Sequence, residues 1–199
     1  MLPSRKEAQD MILEAEKLNP GPWVKHVYYT ALAAELIAQK HPNLDSEKAY
    51  ICGLLHDIGR REGIYDLHHT IYGYKYLKDL GYEEVGRISL THSFVHHDIS
   101  DFNGNFDCTE EELRFLKSYI EKVTYDDYDK LIQVCDYLAL PNGFCILEKR
   151  MIDVALRRGV NDLTIGKWKK VFSLKQEIEK SINQSIYNLL PNIIENTLS

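Results

Sequence analysis

Apolar residues in this chain recur three and four positions apart, and nowhere does Val, Ile or Thr alternate at period two for long enough to build a sheet. A chain patterned this way can bury its apolar surface only by packing helix against helix. Ser4-x-x-Glu7 has the form of a capping box, and Met11, Ile12, Ala15 and Leu18 follow it on one face. Asn19-Pro20-Gly21-Pro22 breaks that helix, and a second is expected from Trp23 to about Gln39, ahead of Pro42. Asp45 or Ser46 can cap a third, in which Tyr50 with Leu54 and Ile51 with Leu55 form i,i+4 pairs, and Gly59 is expected to end it in a left-handed conformation. A fourth is expected over His69–Leu80, closed by Gly81, and a fifth from Glu83 to about Val95. Residues 98–108 are polar and read as a loop. Thr109 with Glu112 opens a helix that turns Leu113, Leu116 and Ile120 inward. Asp127–Leu140 follows, stopped by Pro141-Asn142, and helices over 146–158 and 164–190 complete an all-α chain read as a single domain over 1–199.

Composition narrows the class. The chain has 199 residues, 44% apolar and 27% charged, as in an ordinary globular protein with room for one full core. Its longest apolar runs, such as Tyr50–Leu55, fall far short of a membrane span, and the N-terminus lacks a signal-like apolar stretch, so a cytoplasmic, membrane-free protein is expected. Cys52, Cys108, Cys135 and Cys145 show no CxxC spacing and suggest neither a zinc knuckle nor a disulfide framework. A net charge of −6 without a basic block argues against a nucleic-acid partner. An anionic substrate would have to be attracted locally, by a few arginines or by bound cations.

The chemistry-bearing residues are histidines and aspartates. His26 falls near the start of the second helix, His56-Asp57 ends the third, His69 opens the fourth, and His92 lies late in the fifth. Asp136 sits among Leu131, Ile132, Val134, Cys135, Leu138 and Ala139, where an unpaired carboxylate would be costly unless it meets a cation or a metal; the alternative is a place on the helix's polar face beside Asp129 or Gln133. Neighbours inside a helix point about 100° apart, but at a helix end the backbone can splay both His56 and Asp57 into one site. Imidazole with carboxylate suits Zn²⁺, Mn²⁺ or Fe²⁺. His97-Asp98 precedes a polar loop and reads as solvent-facing, with His97 a weaker candidate than His92 for a phosphate or ligand contact. His92 and His96 stand at i,i+4, a metal-binding spacing, but without the glutamate of a zincin.

The order His26, His56-Asp57, Asp136 resembles the H…HD…D signature of the HD-domain superfamily of metal-dependent phosphohydrolases, and His56-Asp57-Ile58-Gly59 matches a recurrent form of its core motif. The resemblance covers about 23–140, leaving 141–199 as a helical extension, and it implies an all-α helical bundle of the HD type. The segments around His69, with Gly73 four residues on, and around His92 look like those of a two-metal subgroup that includes HD-type symmetrical diadenosine tetraphosphatases. Carried over, His26, His56, Asp57 and Asp136 would hold one ion, and Asp57, His69 and His92 a second, with Asp57 bridging. His68 is a less well spaced alternative to His69.

The activity implied is hydrolysis of a phosphate ester or anhydride, in a nucleotide or related small molecule, by a metal-activated water. One or two divalent ions (Fe, Mn, Zn, Co or Mg) would serve each chain. Arg60 stands where the family usually has lysine; with Asp57 it is the candidate catalytic pair, orienting phosphate through bidentate donors, and Arg61 is a weaker candidate. The competing readings are a single-metal nucleoside monophosphatase, a di-iron oxygenase and a non-catalytic nucleotide sensor with Tyr28, Tyr29, Tyr65, Tyr72 or Tyr137 stacked on a base. In 141–199, Val171, Leu174, Ile178, Ile182 and Ile186 form an amphipathic stripe that would pack in cis, close a lid or pair with a second subunit as a homodimer. Lys167, Lys169 and Lys170 read as a solvated face.

Overall fold

Local capping signals start the helices. In the computed structural model, which describes residues 1–199, Ser4 and Glu7 close a reciprocal capping box ahead of α1 (Arg5–Leu18). Pro22, whose missing N–H costs nothing in a first turn, begins α2 (Pro22–Ala38). The Asp45 carboxylate accepts the Lys48 N–H at 2.7 Å and opens α3 (Ser46–Leu55). Then follow α4 (His68–Asp79), α5 (Glu83–Thr91), α6 (Glu110–Lys122) and α7 (Asp127–Asp136). Capping boxes of Thr109 with Glu112 and of Asp126 with Asp129 start the last two. An antiparallel hairpin, β1 (Ala139–Leu140) with β2 (Gly143–Phe144), leads to α8 (Leu147–Arg158), α9 (Thr164–Ile182) and α10 (Ile193–Leu198). No helix is long and apolar enough to cross a membrane.

Several element ends differ from expectation. The segment after α3 does not stop at Gly59; it passes through His56-Asp57 into a 3₁₀ turn, Ile58–Glu62, which ends at Gly63 with φ of 140°. Gly59 serves close packing instead, since a Cβ there would lie 1.9 Å from the His69 carbonyl oxygen. Gly81, at φ of 81°, does end its helix in the left-handed region. Helix α5 stops at Thr91 rather than Val95, so His92 and His96 do not share a helical face. Helix α7 stops at Asp136, and the residues expected to continue it enter the hairpin. Helix α9 ends at Ile182 with Asn183 at φ of 53°, short of residue 190.

Packing places the helices around a shared interior. Ala33, Ala34 and Ile37 of α2, Ala49 and Cys52 of α3, and Leu131, Ile132, Val134 and Cys135 of α7 are buried together with Phe144, Leu147, Met151, Val171, Leu174, Ile178 and Ile182. The amphipathic stripe of 141–199 therefore packs back onto α2, α3 and α7. A second apolar cluster joins α1 to α2 and α3, and a third lies between α4, α5 and α6. The 3₁₀ turn carrying Gly59 lies against α4, and α2, α3, α4, α5 and α7 present their chemistry-bearing ends to one region.

Candidate metal centre

At the end of α3 the backbone keeps helical dihedrals through His56 and leaves them at Asp57, with φ of −106° and ψ of 14°. The two side chains then converge, His56 Nε2 lying 3.9 Å from Asp57 Oδ2. Helix α4 delivers His69 to the same carboxylate, its Nε2 2.9 Å from Asp57 Oδ1, and the end of α5 delivers His92 at 3.7 Å. From α2, His26 places Nε2 3.0 Å from Oδ1 of Asp136, the last residue of α7, and His56 Nε2 stands 4.0 Å from the same oxygen. All of these except Asp136 are buried, and Asp136 is a quarter exposed. Two donor triads result, His26–His56–Asp57 and Asp57–His69–His92, and they share Asp57.

The tautomers follow from the outer hydrogen bonds. His26 Nδ1 faces the Ala139 carbonyl at 3.2 Å, His56 Nδ1 that of Gly53 at 2.7 Å, and His92 Nδ1 that of Ser89 at 3.0 Å; His69 Nδ1 meets the Asp66 carbonyl. A carbonyl only accepts, so each Nδ1 carries the proton and each neutral ring turns a bare Nε2 toward the cluster. A bare nitrogen 2.9 or 3.0 Å from a carboxylate oxygen is repelled by it unless a cation lies between. His56 Nε2, Asp57 Oδ1 and His69 Nε2 are buried without a hydrogen bond, which is costly in an interior lacking an ion. Two donors on one Zn²⁺-like ion stand roughly 3–3.5 Å apart, close to the spacings found here. The donor set therefore fits one or two divalent ions of the imidazole-and-carboxylate class.

Charge states suit the same role. Burial pushes His92 down to about 3, so its ring stays neutral and able to ligate. Burial raises the Asp57 carboxyl, but the Arg60 guanidinium beside it outweighs this and holds the group well below the usual carboxylate range. Asp136 behaves likewise: burial opposes ionisation, but the polar groups facing it, His26 first and Arg150 among them, hold it well below the usual carboxylate range. Arg60 Nε donates to Asp57 Oδ2 at 2.5 Å, leaving Oδ1 to His69 and His92. Outside the donors, Thr91 Oγ1 donates to Asp129 at 2.6 Å and Gln133 Nε2 to the Thr91 carbonyl at 3.1 Å, so buried polar residues of α7 brace α5 beside His92. The polar face considered for Asp136 is thus itself interior.

A cavity of about 140 Å³ opens over the centre. His26, Asp57, His69, His92 and Asp136 line it, with Arg60 beside them. Sequence reasoning missed most of its other polar lining: Asp66, Arg150, Arg157, Arg158 and Lys167. The arginines at 150, 157 and 158 carried a usable signal, since i, i+7 and i+8 share one helical face with Val154. Lys167 is not on a solvated face; it is buried, and its ammonium donates to the carbonyls of Ser93 at 2.8 Å and Asp101 at 2.9 Å. Lys169 is exposed, and Lys170 half-buried.

The remaining candidates lie elsewhere. His68 pairs with Glu112 at 3.1 Å and stacks on Tyr72. His96 pairs with Asp101, and His97 stacks on Tyr125. Arg61 lies over Tyr76, away from the cavity. Of the tyrosines considered for base stacking, only Tyr137 lines the cavity; Tyr28 and Tyr29 line a separate groove, and Tyr65 packs on Tyr72.

No curated protein and no solved structure matches the chain. The HD-domain family model matches residues 23–140, which hold His26, His56-Asp57, His69, His92 and Asp136 and stop at the hairpin. With that match over more than half its length, and with a helical fold and a His/Asp cluster suited to divalent metal, the chain belongs to the HD-domain family, whose members are generally metal-dependent hydrolases.

Proposed function

We propose that this protein is a two-metal phosphohydrolase that cleaves a phosphate ester or anhydride of a nucleotide or related small molecule. The observation that carries the reading is the charge around the donor cluster. In a protein of net charge −6, the cavity brings together five cationic side chains, Arg60, Arg150, Arg157, Arg158 and Lys167, and three carboxylates. With two divalent ions added, the local field is strongly positive and suits a multiply charged anion.

His26, His56, Asp57 and Asp136 would hold one ion, and Asp57, His69 and His92 the other. When bound, such ions polarise a phosphoryl oxygen and lower the pKa of a coordinated water. Asp57 belongs to both triads, so its carboxylate would be common to the two sites. Arg60 holds Asp57 Oδ2 through Nε and the Tyr65 carbonyl through Nη1, and it lines the cavity, where its charge can offset negative charge developing on the phosphoryl group. Because arginine stays protonated, it stabilises charge and does not move a proton.

The test is a panel of nucleotides, dinucleoside polyphosphates and simple phosphomonoesters, run with Mn²⁺, Fe²⁺, Co²⁺ and Mg²⁺, alongside elemental analysis. Metal-dependent phosphate release and about two ions per chain are expected. Asp57→Ala should retain less metal and lose turnover by at least about a thousandfold. Native turnover in that variant would sink the assignment, and one ion per chain under saturating metal would favour the monophosphatase. Oxygen consumption by the iron-loaded protein without phosphate release would favour the oxygenase.

A further inference from the structure

The cavity is built in two parts. The HD segment supplies the floor, and α8 supplies a wall whose exposed arginines have no role in holding the ions. Arg150, Val154, Arg157 and Arg158 line the cavity from successive turns of that helix. Arg150 lies deepest, its side chain 16% exposed and one guanidinium nitrogen 4.0 Å from Asp136 Oδ1. Arg157 and Arg158 stand at the mouth, 49% and 39% exposed. Seven residues of helix separate the deep arginine from the outer pair by about 10 Å, longer than one phosphoryl group and suited to several in a row.

Three arginines share two close carboxylates, Asp153 and Asp66. Asp153 serves both Arg150, at 3.2 Å, and Arg157, at 2.8 Å, so two guanidiniums share one close carboxylate, with Asp136 4.0 Å from Arg150. Arg158 meets Asp66 Oδ1 at 2.5 Å, and the Asp66 carbonyl is the group that orients His69. Helix α8 is thereby tied to the metal region through Arg158 and Asp66 while its outer face stays open to a ligand. The only apolar lining is Phe102, Tyr137 and Val154, which makes a poor base pocket beside so much positive charge.

We propose that the arginine face of α8 is a second anion subsite, which selects substrates bearing two or more phosphoryl groups in tandem over monophosphates. The proposal rests on the phosphohydrolase reading above for the group at the metals, but its own claim concerns the group beyond them. A substrate with a neutral group at the mouth would leave Arg157 with only the carboxylate it shares with Arg150 and Arg158 with only Asp66, whereas a second phosphate meets two forked donors.

The experiment is calorimetric titration of the metal-loaded full-length protein with inorganic phosphate and with methylenediphosphonate, which cannot be hydrolysed at its P–C–P bridge. Metal content measured after each titration separates binding from extraction of the ions. The diphosphonate should bind at least about tenfold more tightly than phosphate, and Arg157→Gln/Arg158→Gln should lower its affinity about tenfold more than that of phosphate. Arg157→Lys/Arg158→Lys should recover part of the difference, because charge survives and the fork does not. Equal losses for both ligands, or no loss for either, would overturn the subsite. If the double variant does not fold, Arg157→Gln alone, at a half-exposed position, carries the same comparison. The hydrolase reading fails separately: intact diphosphonate preference with no phosphate released from any substrate would mark a sensing site, and turnover without the preference would leave an enzyme lacking this subsite.

Discussion

Gly59 illustrates how one residue sets the geometry of the centre. A Cβ at this position would lie 1.9 Å from the His69 carbonyl oxygen and 2.4 Å from the Gly73 nitrogen, both backbone atoms that cannot rotate away. Gly59→Ala must therefore push the 3₁₀ turn off α4 and separate Asp57 from His69. A loss of about 3 kcal/mol is expected, seen as a fall in Tm of roughly 6–12 °C, together with reduced metal retention. Gly81→Ala is the control. Nothing lies within 4 Å of its Cβ, and only the left-handed backbone at φ of 81° is strained, costing about 1 kcal/mol. Equal melting temperatures for Gly59→Ala and the wild type would contradict the close-packing role. Glycine after His-Asp-Ile reads from sequence as a helix stop because local rules contain only dihedrals. Its actual use depends on α4, a helix that begins nine residues later. His26, His56, Asp57, His69, His92 and Asp136 could be named from type and position, whereas the carbonyls that fix their tautomers are backbone groups with no sequence signature.

Elements whose starts are local were easier to read than their ends. The capping boxes at Ser4 and Thr109 sit where the spacing places them, but α5, α7 and α9 stop earlier than their apolar patterns continue, because the following residues turn to serve packing or the hairpin. Glu112 gives a measurable case. It closes the α6 capping box on Thr109 and also accepts from Lys75 at 2.7 Å and meets His68 at 3.1 Å. Burial raises its carboxyl, but Lys75, Thr109 and His68 outweigh that and bring it down to about 2. A folded pKa below the unfolded value means stability that is fully present above about 4.5 and disappears as pH falls toward 2. Glu112→Gln should cost about 1–2 kcal/mol at pH 7. Urea midpoints of the two proteins should converge as the pH falls from 5 to 3, and a gap that stayed constant would show that the carboxylate's charge does not contribute. Helix α8 is the contrasting case. Its arginines were in plain view, but a basic helical face usually meets solvent, and only the fold turns this one into a cavity.

The whole molecule raises a question that the family boundary does not answer. The HD match ends at Leu140, yet the interior does not. Of the 23 residues in the largest buried apolar cluster, ten (Phe144, Leu147, Met151, Val171, Leu174, Ile178, Ile182, Ile186, Leu190 and Ile193) come from beyond that point. The all-helical class could be read from periodicity alone. The destination of 141–199 could not, because an amphipathic stripe specifies that a face will be covered without specifying by what. Its packing on α2, α3 and α7 also places Arg150 and Lys167 in the cavity, so the extension contributes to both core and candidate site. A chain ending at Leu140 would expose Ala33, Ala34, Ile37, Leu131, Ile132 and Cys135 as one contiguous surface, well beyond the few hundred Å² that a soluble monomer usually tolerates. Each Leu or Ile side chain moved from full burial to water costs about 1.5–3 kcal/mol, against a total stability of roughly 5–15 kcal/mol. Residues 1–140 should therefore fail to melt cooperatively, should bind an apolar dye and should elute as aggregates, even with divalent metal in excess. A sharp thermal transition and monomeric elution for that fragment would instead make the HD segment an independent unit, with the C-terminal helices only an addition to it.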